Sequence, residues 1–260
     1  MSETETKTKT ETLFFPAVKQ QEPISFAPIL LIPTISAANV PQLATDLLIH
    51  SLSLPLLGHL DGRQLYPFAG PRESTTSASV SSTGFCTALE VYGNETLTVL
   101  HQRSPVLPHA TNDFLEQVLK PFISRIGAFK HVCVLASADA TFRDDAQLQT
   151  PILAFEATDG LASRLRQLSL DGLEREETDR PKLYGSGKFY RYMDAVSACQ
   201  KSLGVCRFAY QGDNRSDARQ LCEAALALLQ VDRPTWREPP SWDTLFGPPL
   251  QIGEQGGLIW

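Results

Sequence analysis

The stretch from Pro28 to Leu48 most constrains what this chain can fold into. Ile29-Leu30-Leu31-Ile32 is a continuous apolar run held between Pro28 and Pro33. It is too short for a helix and apolar on both alternating faces, so it predicts a strand covered on both sides. Directly after it, Val40, Leu43, Ala44, Leu47 and Leu48 recur at helical spacing and form one apolar stripe. Asn39 with Gln42 three residues on reads as a capping box, and Pro41 is tolerated in a first turn. A doubly covered strand followed by an amphipathic helix opens an α/β fold, in which helices pack on both faces of a sheet.

The rest of the chain repeats this alternation. Leu56-Leu57-Gly58-His59-Leu60 reads as a second strand, and the Ser/Thr-rich stretch from Glu73 to Gly84 as a loop. Phe85 to Val91 and Leu97 to Gln102 predict a hairpin, with Gly93-Asn94 supplying positive φ angles at its turn. Thr111 or Asn112 opens a helix carrying Phe114, Leu115, Val118, Leu119, Phe122 and Ile126, which Pro121 should kink. His131 to Ala136 is a third buried-type strand, followed by a polar stretch from Ser137 to Thr150. A short strand at Ile152 to Phe155, helices near Leu161 to Leu170 and over Phe189 to Leu203, a strand over Val205 to Tyr210 and a last helix over Ser216 to Leu229 complete the pattern. The charged run from Asp171 to Lys182 reads as a solvated excursion. The expectation is an α/β protein: one three-layer α/β/α sandwich over residues 26–250, with a mostly parallel sheet plus a hairpin. Residues 1–25 are expected to be disordered or loosely attached, and residues 251–260 to form a flexible tail.

Composition narrows the partners. Of the 260 residues, 42% are hydrophobic and 20% charged, and the net charge of −6 argues against nucleic acid or an anionic membrane as the main partner, since both select a basic surface. No apolar run approaches the ~18 residues of a membrane span. Cys86, Cys133, Cys199, Cys206 and Cys222 are odd in number, scattered and free of any C-x-x-C pair, which fits reduced thiols in a cytosolic or nuclear protein.

Searching for chemistry returns little. Gly185-Ser186-Gly187-Lys188 suggests a phosphate loop, but Lys182 stands where that pattern needs Gly and Phe189 where it needs Ser or Thr, so a glycine turn entering a helix accounts for it better. His50, His59, His101, His109 and His131 form no H-x-x-x-H pair or metal-type cluster. No nucleophile elbow occurs. No catalytic residue, metal ligand or cofactor site is therefore assigned. Gly212-Asp213-Asn214 lies where a strand hands over to a helix, the place where open α/β folds bind ligands, and reads either as a plain turn with Asn214 as cap or as part of a site.

The C-terminus carries the clearest functional signal. Gly253-Glu254-Gln255-Gly256-Gly257 is a leash that ends in Leu258, Ile259 and Trp260 with a free carboxylate. Burying a Leu or Ile side chain is worth about 1.5–3 kcal/mol, and capture of a terminal carboxylate with apolar side chains is a known recognition mode. Ordering the tail costs about 1–2 kcal/mol per residue, so it cannot hold a partner alone and a folded body must supply the rest. The alternative is a tail that folds back or frays.

Several segments together resemble the proteasome assembly chaperone 2 family. They are Asn39-Val40-Pro41-Gln42-Leu43-Ala44-Thr45-Asp46-Leu47, the downstream Gly58-His59-Leu60, Gln211-Gly212-Asp213-Asn214 with Asp217-Ala218, and Pro240-Ser241-Trp242-Asp243-Thr244-Leu245-Phe246-Gly247. The resemblance implies an α/β/α sandwich without catalytic activity. It further implies a heterodimer with proteasome assembly chaperone 1 that binds the outer face of the α-subunit ring of the 20S proteasome, favours ring formation and blocks premature docking of activators. Members use C-terminal hydrophobic-Tyr-X tails to enter pockets between α subunits. Leu258, Ile259 and Trp260 hold the matching positions, with Ile259 in place of the tyrosine and hence no hydroxyl there. Trp242, Leu245 and Phe246 are expected to fasten the segment before the leash to the domain. The competing expectation is an α/β-sandwich enzyme acting on a nucleoside or another small metabolite, with Asp213, Asn214 and polar groups from Ser137 to Thr141 in one pocket.

Overall fold

The computed structural model describes residues 13–17, 24–73, 84–127, 129–144, 147–156, 171–172 and 182–244. The helix expected near Leu161 to Leu170, nearly all of the charged run and the tail lie outside them. So do Leu245, Phe246, Leu258, Ile259 and Trp260.

In chain order the elements are β1 (Phe14–Pro16), β2 (Ile29–Pro33), α1 (Val40–Ser51), β3 (Leu56–Leu60), β4 (Ala69–Pro71), β5 (Phe85–Thr87), β6 (Leu89–Gly93) and β7 (Leu97–Gln102). They continue as α2 (wound in three pieces, Thr111–Asp113, Phe114–Leu119 and Phe122–Ile126), β8 (His131–Asp139), β9 (Ile152–Glu156), β10 (Asp171–Gly172), α3 (Phe189–Ser197), β11 (Ser202–Ala209) and α4 (Arg215–Leu229). One sheet has the order β1-β3-β6-β7-β2-β8-β11-β9-β10, and β4 pairs with β5 in a separate two-stranded sheet. The four central strands, β7, β2, β8 and β11, run parallel. Antiparallel pairs flank them, β6 with β7 on one side and β9 with β11 on the other.

Alternation along the central strands explains the three layers. Leu30, Ile32, Val132, Val134, Cys206 and Phe208 point to one face, where they pack with Phe114, Phe122, Phe189 and Met193 from α2 and α3. Leu31, Val99, Cys133, Leu135 and Val205 point to the other and meet Leu47, Leu48, Leu221 and Cys222 from α1 and α4. Successive side chains of a strand point to opposite faces, so strands apolar at every position require helices on both.

Local chemistry departs from expectation at several points. Asn39 occupies the N-cap position of α1, but its side chain makes no capping bond: it and Ala38 both take left-handed backbone, with φ of 54° and 55°. The Asn39 N–H already donates to the Ser36 carbonyl, leaving nothing for Gln42 to reach back to. Positive φ is not used at Gly93-Asn94 either. The Asn94 carboxamide closes the turn, its Oδ1 accepting from the N–H groups of Thr96 and Leu97 at 2.9 Å each. The hairpin therefore begins at Leu89, and Phe85–Thr87 belongs to the small sheet.

α2 winds with π geometry on both sides of Lys120 and Pro121. Proline has no N–H to give and crowds the carbonyl four residues back, and the wider turn relieves both constraints. β8 runs three residues past the expected Ala136, and α3 stops at Ser197 so that β11 starts at Ser202. Leu203 and Gly204 are needed beside Cys133 and Val134 in the ladder, and a Cβ at Gly204 would sit 2.4 Å from the Phe189 ring. Within the segment expected to be disordered or loosely attached, Phe14–Pro16 forms β1 against β3. Phe14 packs edge-on to Phe26 at 5.4 Å, and Gly58 leaves the room it needs.

Candidate functional site

Parallel strands send their carboxyl ends to one end of the sheet, although β8 runs from the Leu135 that faces Pro33 of β2 on to Asp139. Past the carboxyl end of β2 the backbone is tied to the last residues of β8 by short polar contacts. The Ser36 and Ser137 hydroxyls lie 2.9 Å apart, Ser137 Oγ donates to the Ala37 carbonyl at 2.5 Å, and Thr34 Oγ1 donates to the Leu135 carbonyl at 3.1 Å. Gly185-Ser186-Gly187-Lys188 is laid over this junction. Ala37 N–H donates to the Gly185 carbonyl and Asp139 N–H to the Tyr184 carbonyl, each at 2.8 Å. Gly185, Gly187 and Lys188 have φ of 73°, 61° and 67°, and a Cβ on Gly187 would fall 1.9 Å from the Ile35 carbonyl oxygen. The glycines are there so that the loop can lie on the strand end and turn into α3.

Beside this loop, Ile35, Val106, Thr111, Lys188, Tyr192 and Gln102 line a small open recess of about 80 Å³. Its polar atoms are bonded to one another. Lys188 Nζ donates to Thr111 Oγ1 at 2.5 Å, Tyr192 Oη to Gln102 Oε1 at 3.2 Å, and Gln102 Nε2 to the Ser104 carbonyl at 2.9 Å. What the recess offers an incoming group is mainly apolar wall.

Aromatic side chains are also exposed at this end of the sheet. Seven large apolar residues are exposed among the described ones: Phe15, Tyr66, Phe68, Phe85, Phe142, Tyr184 and Tyr210. Four of these lie past the carboxyl ends of the parallel strands. Tyr66 is held beyond β7 by its N–H to the Pro105 carbonyl, Tyr210 directly follows β11, and Phe142 follows β8 and stacks on Tyr184 with centroids 4.3 Å apart. Sequence reasoning missed these residues. Phe142 and Tyr184 are single aromatics in polar stretches, Tyr66 stands close to Phe68, and Tyr210 reads as the end of a strand, so only the topology brings the four to one end.

The groups that would favour an enzyme do not converge. Ser137 is fully buried, Asp139 accepts from the N–H and hydroxyl of Thr141, Asp213 pairs with Arg215 at 2.6 Å, and Asn214 Nδ2 donates to the Tyr210 carbonyl and to Asp217. None of them lines the recess. His101 stands between Thr45, 2.8 Å from Nδ1, and Asp46, 3.2 Å from Nε2, a row that suggests a nucleophile, base and acid. Thr45, however, is sealed inside and bonded to its own helix at the Pro41 and Gln42 carbonyls. Burial pushes the Cys206 thiol up to about 12 and holds Cys133 and Cys222 well above the ordinary range, so none of the three is a thiolate at neutral pH. Among the described residues no group of three or more His, Cys, Asp or Glu could hold a metal ion.

The model of the PAC2 family matches residues 30–188. The chain belongs to the PAC2 family. The matched range runs from β2 to the loop that enters α3, so it includes all of the recess except Tyr192. The chain is 31% identical to proteasome assembly chaperone 2 of Xenopus laevis over 90% of its own length and 97% of that relative's. It is 28% identical to proteasome assembly chaperone 2 of Homo sapiens, covering 84% of this chain and 91% of the relative. Among solved structures it shares its fold with Pyrococcus furiosus PbaA, described as an archaeal homolog of proteasome-assembly chaperone, with a TM-score of 0.62, 15% identity and coverage of 81% of this chain and 85% of that one. Pyrococcus furiosus PbaB, described as an archaeal proteasome activator, aligns with a TM-score of 0.57 at 14% identity over 85% of this chain and 91% of its own.

Of the residues expected to fasten the tail, Trp242 is described and is 3% exposed. It packs into the α1 and α4 cluster, with its N–H donating to the Pro239 carbonyl. Nearby, Trp236 Nε1 donates to Glu223, and Arg237 donates to the His50 carbonyl at 2.6 Å. The segment that leads to the tail thus lies on the α1 and α4 layer.

Proposed function

We propose that this PAC2-family chain acts as a proteasome assembly chaperone without catalytic activity, in the cytosol or nucleus. It pairs with proteasome assembly chaperone 1, and the pair binds the outer face of the 20S α-ring, promotes ring assembly and blocks premature activator docking. The observation that carries this reading is the match to proteasome assembly chaperone 2 over nearly the whole of both chains. A recess with internally spent polar groups and a charge of −6 supports it, since both suit protein docking better than metabolite turnover or nucleic acid.

In this reading the body supplies most of the affinity, and Leu258, Ile259 and Trp260 add a tethered contact in a pocket between α subunits. Trp242, Leu245 and Phe246 fix the point from which the leash leaves. Local concentration does the work: a tethered second contact raises avidity without strong intrinsic affinity.

The test is co-purification of the tagged chain from its own cells, full-length against a form ending at Gly257, with bound proteins identified. Recovery of the partner chaperone with both forms, and of α subunits in reduced amount with the shorter one, is the expected result. Recovery of neither partner from the full-length chain would overturn the reading and return attention to metabolite binding near Gly212-Asp213-Asn214.

A further inference from the structure

After α4 the chain doubles back. α4 ends at Leu229, Gln230 turns the backbone with φ of 59°, and the Val231 N–H donates to the Leu226 carbonyl at 2.9 Å. Residues 231–239 form no helix or strand, yet they lie along their neighbours. Trp236 Nε1 donates to Glu223 at 3.1 Å, with the Arg219 guanidinium over its ring, and Glu238 meets Arg215, the first residue of α4, at 3.6 Å. Asp243 is within electrostatic reach of the same guanidinium, which Asp213 chiefly, and Glu238 and Asp243 besides, hold above its ordinary value. Residues 231–244 thus form a strap that starts at the foot of α4 and finishes near its head, where Trp242 is buried in the α1 and α4 cluster.

Arg237 is the fastening in the middle of the strap. Its Nη2 donates to the His50 carbonyl at 2.6 Å and to Ser53 Oγ at 3.2 Å. Its N–H donates to Ser51 Oγ at 2.9 Å, and that hydroxyl donates to the Arg237 carbonyl at 3.3 Å. The last carbonyls of a helix lack intrahelical donors and carry its negative pole, so a guanidinium there is favourable both as donor and as charge. The strap therefore supplies a cap that α1 does not find in its own sequence. Ordering the 14 residues of the strap costs more than the burial of one Trp returns, and proline at 234, 239 and 240 lowers that cost without removing it. Trp242 needs the bonds at Trp236 and Arg237 to stay in place.

We propose that Arg237 is a positioning residue for the C-terminal tail: by capping α1 it keeps the strap down, so that the leash starts from the head of α4 and not from its foot. This rests on the functional reading above, in which the tail is a tethered contact fixed at Trp242, Leu245 and Phe246. With the strap down the leash has 14 residues, 247–260, and with the strap lifted it has 30, 231–260. Effective concentration falls roughly as the −3/2 power of tether length, so lifting the strap weakens the contribution of the tail about 3-fold.

In the experiment the chain is co-expressed with its partner chaperone and titrated with rings of α subunits from its own cells. Full-length chains and chains ending at Gly257 are compared in three forms: unchanged, Arg237→Ala and Arg237→Lys. The ratio of the two affinities isolates the tail. That ratio should drop about 3-fold in Arg237→Ala, while the chains ending at Gly257 bind alike whatever stands at 237. Arg237→Lys keeps a charge at the end of α1 and should recover part of the loss. Hydrogen exchange should quicken over 236–243 in Arg237→Ala and stay unchanged in β2 and β8. A ratio that does not move in Arg237→Ala overturns the positioning role, and unchanged exchange over 236–243 overturns the fastening itself. If the unchanged full-length chain does not bind the rings, the functional reading fails and the positioning role with it, whereas the exchange result still decides whether Arg237 holds the strap.

Discussion

Phe142 and Tyr184, 42 positions apart in the chain, stack with their planes 28° apart on a backbone bridge from Asp139 N–H to the Tyr184 carbonyl. The bridge joins the end of β8 to the loop that enters α3, so the rings are held by the parallel sheet itself. A rigidly presented pair of rings loses little conformational entropy when covered, which is what a docking anchor requires.

The loop under that pair should be sensitive at one glycine and tolerant at the other. Gly187→Ala places a Cβ against the Ile35 carbonyl in left-handed backbone and should cost about 2–4 kcal/mol. Gly185→Ala meets the Ala37 methyl at 3.3 Å and Asp139 at an ordinary 3.7 Å, and should cost about 1 kcal/mol, the strain of its φ. Urea denaturation of both variants measures this, and equal losses would show that the close approach at Gly187 is not what decides.

Glu90 is a carboxylate with no exposure inside β6. It accepts from Arg72 Nη2 at 2.7 Å, the Thr87 N–H at 3.1 Å and the Tyr92 hydroxyl at 2.9 Å. Removing one partner of a buried pair typically costs ~3–5 kcal/mol, but Arg72 and Arg103 keep about a quarter of their surface in water and can be rehydrated. Glu90→Ala should therefore cost about 2–4 kcal/mol, with faster hydrogen exchange in β4 and β5, because Arg72 also donates to the Phe85 carbonyl. Exchange unchanged in those strands would show that the network does not hold the small sheet.

Stability should fall on both sides of neutrality. Burial holds His50 and His59 below the ordinary value of 6.5 despite nearby carboxylates, so the unfolded chain binds protons first and stability declines as pH drops below about 6.5. A second decline follows below about pH 4. Burial raises Asp46 and Glu90, but His101 and Arg103 for the one, and Arg72, Tyr92 and Arg103 for the other, bring both net below the ordinary carboxylate range. On the alkaline side, thiols that burial keeps protonated at Cys133, Cys206 and Cys222 remove stability as pH rises past about 9. Chemical denaturation across pH 3 to 10 tests this, and a flat profile between pH 7 and 5 would contradict the histidine stage.

Trp242→Ala should cost about 3 kcal/mol, the usual loss for a large side chain removed from a packed cluster. Thermal unfolding measures it. A melting temperature equal to that of the unchanged chain would mean that the segment before the tail is not part of the cooperative fold.

Much of the architecture could be read in advance, because single segments carry it. The Pro-bounded Ile29–Pro33 run and the stripe from Val40 to Leu48 need no distant partner to be recognised. What stayed hidden depends on pieces far apart. The π winding of α2 follows from one proline meeting the demands of the core, which periodicity does not register. The cluster of Asp46, Glu90, His101 and Arg103 joins α1 to the hairpin, and each residue alone reads as an ordinary polar position. Facing register offers the only signal: Glu90 pairs with His101 across two otherwise apolar strands. The aromatic end is legible only once β7, β2, β8 and β11 are known to run parallel, so that the loops after them leave from one end of the sheet.

Loss of the chain from its own cells tests the central claim most directly. Extracts of cells lacking it would be resolved by native electrophoresis and probed for α subunits and for peptidase activity. The account predicts less mature 20S particle and an accumulation of unfinished α-subunit assemblies, both reversed when the unchanged chain is restored. Mature particle at its normal level, with no change in α-subunit assemblies, would contradict it.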